Sequence, residues 1–168
     1  MTLQYEFFKK ISLFQDLEEN EIQQVVDRTT PRDFPAGAVI LREGETGDSL
    51  FVMCQGEVEI TKALTLVLDE DTPREKVMIR LRALDGVCFG EMALLENEAR
   101  SATVTALSDC SLLELSRQEF LDLVRENPEM GLKLVLNLAQ LLSRHLRKSN
   151  QDVIKLTTAL AIALEGKS

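Results

Sequence analysis

The sequence predicts an α+β fold that is mainly β: an antiparallel sandwich or barrel with helices before it and a long helix after it. Two changes of texture along the chain indicate this. Between Asp33 and Ser116, short runs rich in Val, Ile, Phe and Thr alternate with turn signals, whereas both flanks carry apolar residues at helical spacing. At 168 residues the chain suits one domain with an appendage. We divide it into an N-terminal helical segment (residues 1–32), a strand region (33–116) and C-terminal helices (117–168).

The N-terminal segment shows two short helical patterns. Four apolar residues recur at helical spacing in the first: Phe7, Phe8, Ile11 and Phe14. A second helix is predicted after Asp16, whose carboxylate suits an N-cap. It would turn three residues inward: Ile22, Val25 and Val26.

The strand region is divided by polar turns that contain glycine. They are Pro35-Ala36-Gly37, Glu43-Gly44-Glu45, Thr46-Gly47-Asp48 and Gln55-Gly56. Short strands at this spacing are typical of antiparallel sheets. Two further strands are predicted at Leu64–Leu68 and Val77–Leu81. The polar segment Asp69–Lys76 would join them as an exposed hairpin loop.

The third zone begins with a clear helix start. Ser116 is a predicted N-cap for a helix over Arg117–Arg125, and Glu119 at the third helical position completes a capping box. Asn127-Pro128 then ends that helix and begins the next, because proline is well tolerated in a first turn.

The last helix carries two apolar stripes. One follows an a/d heptad pattern with a single polar member: Leu132, Val135, Ala139, Leu142, Leu146, Ser149, Val153, Leu156, Leu160 and Ala163. The other suits packing on the strand region: Leu134, Leu138 and Leu141. One face for the body and one for a partner predicts a homodimer. The alternative is one helix, or two, folded entirely on its own domain, and the polar cluster Arg147–Asp152 is a candidate break.

Composition excludes several functions. The net charge of −9 disfavours direct nucleic-acid binding, which depends on Lys and Arg at phosphates. No apolar run approaches a membrane span, and the N-terminus lacks a signal-peptide core, which favours a cytoplasmic protein. Three scattered cysteines and one histidine suit neither a metal site nor a disulfide framework. Without clustered ligands or a nucleophile–base pair, an enzyme is disfavoured and no cofactor is expected.

The stretch Phe89–Val104 carries the candidate chemistry. Gly90 permits a tight turn, and the following residues favour a short helix whose first amides suit an anion. Arg100 and Ser101 add a guanidinium and a hydroxyl, the donors that a phosphate requires. Glu91 adds an acceptor for a sugar hydroxyl. The alternative is that Glu91 and Arg100 form an ordinary surface ion pair.

This stretch resembles the phosphate-binding cassette of cyclic nucleotide-binding domains. The shared motif is Phe-Gly-Glu-x-Ala-Leu and, six residues after that leucine, Arg-[Ser/Thr/Ala]-Ala-[Thr/Ser]-Val, here without a gap. Upstream residues resemble the first half of the same fold: Gly37, Val39, Ile40, Gly44, Gly47-Asp48, Leu50 and Gly56. The similarity covers about residues 5–148 and implies an antiparallel β-roll of the jelly-roll sandwich type, with the cassette at residues 89–104. The relatives it resembles are catabolite activators and bacterial cyclic nucleotide-gated channels.

The resemblance implies a role for each cassette position. Glu91 would accept the ribose 2′-hydroxyl, and Arg100 would pair with the phosphate. Further ligand contacts are implied at Gly90, Met92, Ala93, Ser101 and Ala102. The pocket near the ribose and base would be lined by Phe89, Cys88 and Ile60. Ser101 occurs in both cGMP-selective and bacterial cAMP-binding relatives, and the likeness to the bacterial ones favours cAMP over cGMP.

The final helix caps the base in relatives, and Leu142, His145, Leu146 and Ser149 lie in the comparable stretch. His145 is predicted to be an ordinary surface or interface residue. The residues after Asp152 are too few for a helix-turn-helix domain. We therefore expect a sensor without an effector domain, which signals through an unknown partner protein. The alternatives are a regulatory fragment of a larger channel or transcription factor, and a β-roll scaffold that binds no nucleotide.

Overall fold

Two four-stranded antiparallel sheets form the body of the computed structural model, which describes residues 2–63, 75–95 and 98–165. The first sheet has the order β1 (Thr30–Phe34), β8 (Cys110–Ser116), β3 (Ser49–Gln55) and β6 (Cys88–Phe89). The second has the order β2 (Val39–Leu41), β7 (Thr103–Ala106), β4 (Glu57–Ala63) and β5 (Glu75–Arg82). Two stacked antiparallel sheets with helices at both ends of the chain confirm the predicted fold class.

Strand β3 is buried on both faces and divides the core in two. Successive side chains of a strand point to opposite sides, so Phe51 and Met53 lie between the sheets while Leu50 and Val52 face the helices. The Phe51 ring stacks on Phe89 of β6 with centroids 5.7 Å apart. This continuous apolar strand therefore ties the helical layer to the sheet sandwich.

Five α-helices surround the sandwich within the described residues. Their bounds are α1 (Thr2–Phe8), α2 (Glu19–Asp27), α3 (Met92–Leu95), α4 (Arg117–Glu126) and α5 (Pro128–Glu165). A 3₁₀ turn over Ser12–Phe14 separates the first two. Phe8, Ile11 and Phe14 are buried, so the predicted apolar pattern is confirmed although α1 stops at Phe8.

Two predicted boundaries are corrected. Asp16 is not the cap of α2: it lies in a left-handed turn at φ 62°, and Glu18 caps the helix, its amide donating to Glu21 Oε2 at 2.8 Å. Strand β1 begins at Thr30, before the predicted boundary at residue 33. Its solvent-facing edge position tolerates Pro31 and removes the apolar alternation that would have marked it.

The hairpin prediction is only partly covered by the described residues. Val77–Leu81 lies within β5, as predicted, and β5 pairs with β4. The predicted strand Leu64–Leu68, and the predicted loop Asp69–Lys76 except for its last two residues, lie outside the described residues.

Ser116 caps α4, and only half of the predicted capping box forms. The Glu119 amide donates to Ser116 Oγ at 3.2 Å, while the Glu119 carboxylate pairs with Arg28 at 3.0 Å. Helix α4 ends at Glu126 with Asn127 as its C-cap, and α5 begins at Pro128 as predicted.

Helix α5 continues without a break through Arg147–Asp152 and is 38 residues long. The predicted inner stripe is confirmed, because Leu134, Leu138 and Leu141 are buried against the helical side of the core. Two polar contacts fix the base of the helix. Asn137 Nδ2 donates to the carbonyls of Leu13 and Gln15 at 3.0 and 2.6 Å, and Lys133 pairs with Glu21 at 2.7 Å.

Candidate functional site

The cassette begins where β6 ends, with a tight turn at Gly90. This glycine has φ 81°, and a β-carbon there would stand 2.9 Å from the Ser49 carbonyl oxygen and 3.0 Å from Arg100 Nη1. Only glycine combines that backbone conformation with so close an approach. The turn therefore brings the start of the cassette against β3 and Arg100.

Glu91 follows the turn and holds a buried carboxylate. It is 7% exposed, and the short helix α3 begins at the next residue. Leu94 of α3 is fully buried, which anchors this helix on the core, while Met92 is half-exposed at its start. Glu91 Oε1 lies 2.9 Å from His145 Nδ1 on α5. An acidic side chain is thus held at the junction of the cassette and the long helix.

Arg100 is a buried cation that donates its hydrogen bonds to neutral oxygens. It is 9% exposed, and its Nη1 donates to the Ser49 carbonyl at 2.7 Å and to the Gly90 carbonyl at 3.4 Å, while Nη2 donates to Ser49 Oγ at 3.2 Å. Burial lowers the pKa of Arg100, against the negative charges of Asp48, Glu114 and Glu91 that raise it. A guanidinium nonetheless remains protonated in proteins.

The surface ion pair between Glu91 and Arg100 does not form. Arg100 takes part in no ion pair within the described part of the chain, and Glu91 pairs instead with His145. Neutral oxygens orient the guanidinium, so an incoming anion would meet a cation that no ion pair among the described residues occupies.

The upstream glycine run and the cassette meet at Arg100. A β-carbon on Gly47 would stand 2.6 Å from Arg100 Cζ, so the turn before β3 lies directly on the guanidinium. The backbone is joined there as well, since the Arg100 amide donates to the Glu45 carbonyl at 2.8 Å and the Gly44 amide to the Arg100 carbonyl at 2.9 Å. Two segments that are distant in sequence thus form one cradle, which we call the Arg100 cradle: Gly47, Ser49, Gly90 and Arg100.

The remaining predicted residues are distributed around this cradle. Ser101 is exposed, and Ala102 is half-buried before β7. Ile60 on β4 lies opposite Val104 and packs on the same cluster as Phe89. The backbone of Ala93 lies within α3.

Cys88 and Phe89 point to opposite sides of β6. Phe89 packs between the sheets and Cys88 faces the helices. A pocket on one side of β6 cannot be lined by both side chains, so the structure does not bring these two together. Burial raises the pKa of the Cys88 thiol to about 12, and the negative charge of Glu91 adds to the effect.

Three residues of the site were not predicted as ligand-binding. Gly47 and Ser49 form part of the Arg100 cradle, and the glycine turn before β3 was the signal that could have identified them. His145 is exposed, as predicted for a surface or interface residue, and its Nδ1 also contacts Glu91 Oε1 across 54 positions of sequence. Nothing in local sequence marks such a pair.

The family model for the cyclic nucleotide-binding domain matches residues 31–127, more than half of the chain. The chain belongs to the cyclic nucleotide-binding domain family. The match spans both sheets and the cassette, which confirms the resemblance inferred from the motif.

Relatives of the domain occur in several longer proteins. A cyclic nucleotide-gated potassium channel of Rhizobium etli is 37% identical over 72% of this chain and 30% of the channel. The cAMP-dependent protein kinase regulatory subunit of Dictyostelium discoideum is 35% identical over 68% of this chain and 34% of that subunit. cGMP-dependent protein kinases also match. The chain thus spans about a third of the length of the curated relatives it matches first.

A solved structure shares most of the fold. The cyclic nucleotide-binding domain from Methylobacillus flagellatus is similar with a TM-score of 0.75 and 27% identity, covering 89% of this chain and 80% of that one. Among the described residues of our chain, no helix has both the length and the apolarity to cross a bilayer.

Proposed function

We propose that this chain is a cyclic nucleotide receptor that prefers cAMP to cGMP and signals through a partner protein, without enzymatic activity of its own. The observation that carries the proposal is the Arg100 cradle: a buried guanidinium held by neutral oxygens beside a buried carboxylate, Glu91. A cyclic nucleotide presents an anionic phosphodiester and a ribose hydroxyl on one face, and these two groups complement that pair of charges.

Arg100 would bind the phosphate, assisted by the exposed hydroxyl of Ser101. Charge-assisted hydrogen bonds of this kind each contribute about 1.5–3 kcal/mol. The hydrogen-bond acceptors of Arg100 among the described residues are neutral, so the phosphate would displace none of their salt bridges. This favours the phosphate role over a purely structural one.

Glu91 would accept the ribose 2′-hydroxyl. His145 occupies Oε1, and a carboxylate has a second oxygen with free lone pairs. Gly90, Met92, Ala93 and Ala102 would surround the sugar and phosphate. Phe89 and Ile60, both on the inter-sheet cluster, would contribute apolar surface nearby.

The preference for cAMP is the finer part of the proposal. A hydroxyl at Ser101 is compatible with either base, and relatives named for both nucleotides match the chain. The similarity to a cAMP-dependent protein kinase regulatory subunit and to a bacterial cAMP-activated transcriptional regulator supports cAMP.

The proposed receptor is a cytoplasmic homodimer joined through α5. Most apolar heptad positions of this helix are exposed, among them Leu132, Leu146, Val153, Leu156 and Leu160. Such a stripe is stabilised by burial against a second copy. The second candidate is a regulatory part of a longer channel or transcription factor, favoured by the greater length of the relatives.

Isothermal titration with cAMP and cGMP in parallel tests the proposal. Arg100→Gln should weaken cAMP binding by roughly 10- to 100-fold, the equivalent of one lost charge-assisted contact. Arg125→Gln is the matched control, since Arg125 is exposed on α4 and, among the described residues, forms an ion pair with Asp122 alone. Equal affinity of the two variants would contradict the phosphate role, provided that their circular dichroism spectra show both are folded.

A further inference from the structure

Within the described part of the chain, one polar contact joins the outer half of α5 to another element. From Ser143 to Leu164 the described side chains of this helix are exposed. Among the hydrogen bonds and ion pairs of the described residues, the one that joins this stretch to another element is His145 Nδ1 to Glu91 Oε1 at 2.9 Å. The base of the helix is fixed separately by Asn137 and Lys133.

The contact joins a titratable group to the carboxylate that we assign to the ribose. Glu91 is buried and His145 is half-exposed, so the imidazole exchanges protons with solvent while the carboxylate is held inside. An imidazolium forms a charge-assisted hydrogen bond with a carboxylate, and a neutral imidazole forms a weaker one.

We infer that His145 is a positioning residue for Glu91: the protonated imidazole orients the ribose-binding carboxylate and holds α5 beside the pocket, so nucleotide affinity rises as His145 gains its proton. This inference rests on the proposed function. The two oxygens of Glu91 have different partners: Oε1 contacts His145, and Oε2 would accept the ribose hydroxyl.

The charged groups around His145 favour its protonated form beside Glu91, on balance. The hydrogen bond to Glu91, and then its charge, raise the pKa of the imidazole, while burial and the positive charges of Lys148 and Arg144 on α5 lower it, with a net rise. The thiol of Cys88 lies close enough to sense both Glu91 and Arg144, and its raised pKa keeps it neutral. Because the pKa is raised, the ion pair is complete below the ordinary imidazole value and is lost as pH rises through the higher value in the folded chain.

The binding experiment compares cAMP affinity of the full chain at about pH 6 and about pH 8.5, a window in which neither carboxylates nor lysines titrate appreciably. The wild-type chain should bind about two- to fivefold more tightly at the lower pH, the value of a partly exposed ion pair. His145→Gln, whose side chain cannot become charged, should bind cAMP with the same affinity at both pH values. His145→Arg should give equal affinities near the tighter wild-type value.

Lys148→Gln is the control for charge on α5. It removes a nearby positive charge without touching Glu91, and the pH dependence should remain. A wild-type affinity that is flat, or that increases with pH, would overturn the inference while leaving the proposed receptor intact. Failure of the wild-type chain to bind at either pH would instead refute the receptor itself.

A second readout needs no nucleotide. The sequence holds a single histidine, so its imidazole resonance in a proton NMR titration of the untagged chain is unambiguous. Glu91→Gln should lower the pKa of His145, and Arg100→Gln should change it much less. An identical His145 titration in wild type and Glu91→Gln would overturn the contact on which the inference depends.

Discussion

Gly47 lies directly on the Arg100 guanidinium, and a β-carbon at Gly47 would stand 2.6 Å from Arg100 Cζ. This relationship joins the turn before β3 to the cassette, where Arg100 donates to Ser49. The position of the cation therefore depends on the absence of a side chain at Gly47, which lies on the other segment of the cradle. Ser49 on that segment is 51 residues from Arg100 in sequence.

Gly47→Ala should move the guanidinium and weaken cAMP binding by about tenfold or more, approaching the loss of one charge-assisted contact. Isothermal titration measures the effect. Gly37→Ala is the matched control: it meets no atom within 4 Å, although its φ of 85° strains any side chain. If the two variants bind cAMP equally, the close approach of Gly47 has no part in binding.

Glu91→Gln should weaken cAMP binding and also reduce discrimination against 2′-deoxy-cAMP. The wild-type chain should prefer cAMP by roughly 10-fold, because the deoxy ligand leaves a buried carboxylate without its hydroxyl partner. In the variant that ratio should fall toward one, which competition binding with the two ligands measures. A ratio that stays unchanged would separate Glu91 from the ribose.

Asn137→Ala should destabilise the fold by about 1–3 kcal/mol, because the carbonyls of Leu13 and Gln15 lose buried partners. Urea denaturation gives the free energy of unfolding. Asn150→Ala on the exposed part of the same helix should change it by less than about 0.5 kcal/mol. Equal losses would show that Asn137 does not anchor α5.

Leu156→Glu should convert the proposed dimer to a monomer, because it places a charge in the heptad seam. Ile154→Glu should leave the dimer intact, since Ile154 is 64% exposed, much like Leu156 at 60%, but lies off the seam. Analytical ultracentrifugation distinguishes the two. A wild-type chain that is monomeric, or a dimer that resists Leu156→Glu, would contradict the seam.

The parts of the fold that could be predicted are those with local signals. The inner stripe of α5, the Ser116 cap and the Asn127-Pro128 break depend on spacing within a few residues, and each appears in the structure. Strand β1 begins earlier than the sequence predicts, because an exposed edge strand has no buried alternation. Residue type alone predicts a cap at Asp16, whereas the actual cap at Glu18 depends on Glu21.

The candidate site likewise has one part that the sequence predicts and one part that it does not. The cassette motif identified Glu91 and Arg100, yet their partners come from elsewhere in the chain. Ser49 is brought to Arg100 because the backbone of Arg100 bonds to Gly44 and Glu45 just before β3. His145 reaches Glu91 because α5 passes beside the cassette. Contacts at such separations follow from the assembled sheets and helices, so periodicity and motif spacing could not reveal them.

The most direct test of the central claim is equilibrium binding of cAMP to the purified wild-type chain by isothermal titration. The Arg100 cradle and Glu91 predict saturable binding with one site per chain and a Kd well below about 1 mM. The affinity should fall roughly 10- to 100-fold in Arg100→Gln and be retained in Arg125→Gln. Absence of saturable binding of either cAMP or cGMP below that concentration, by a chain shown to be folded, would contradict the account.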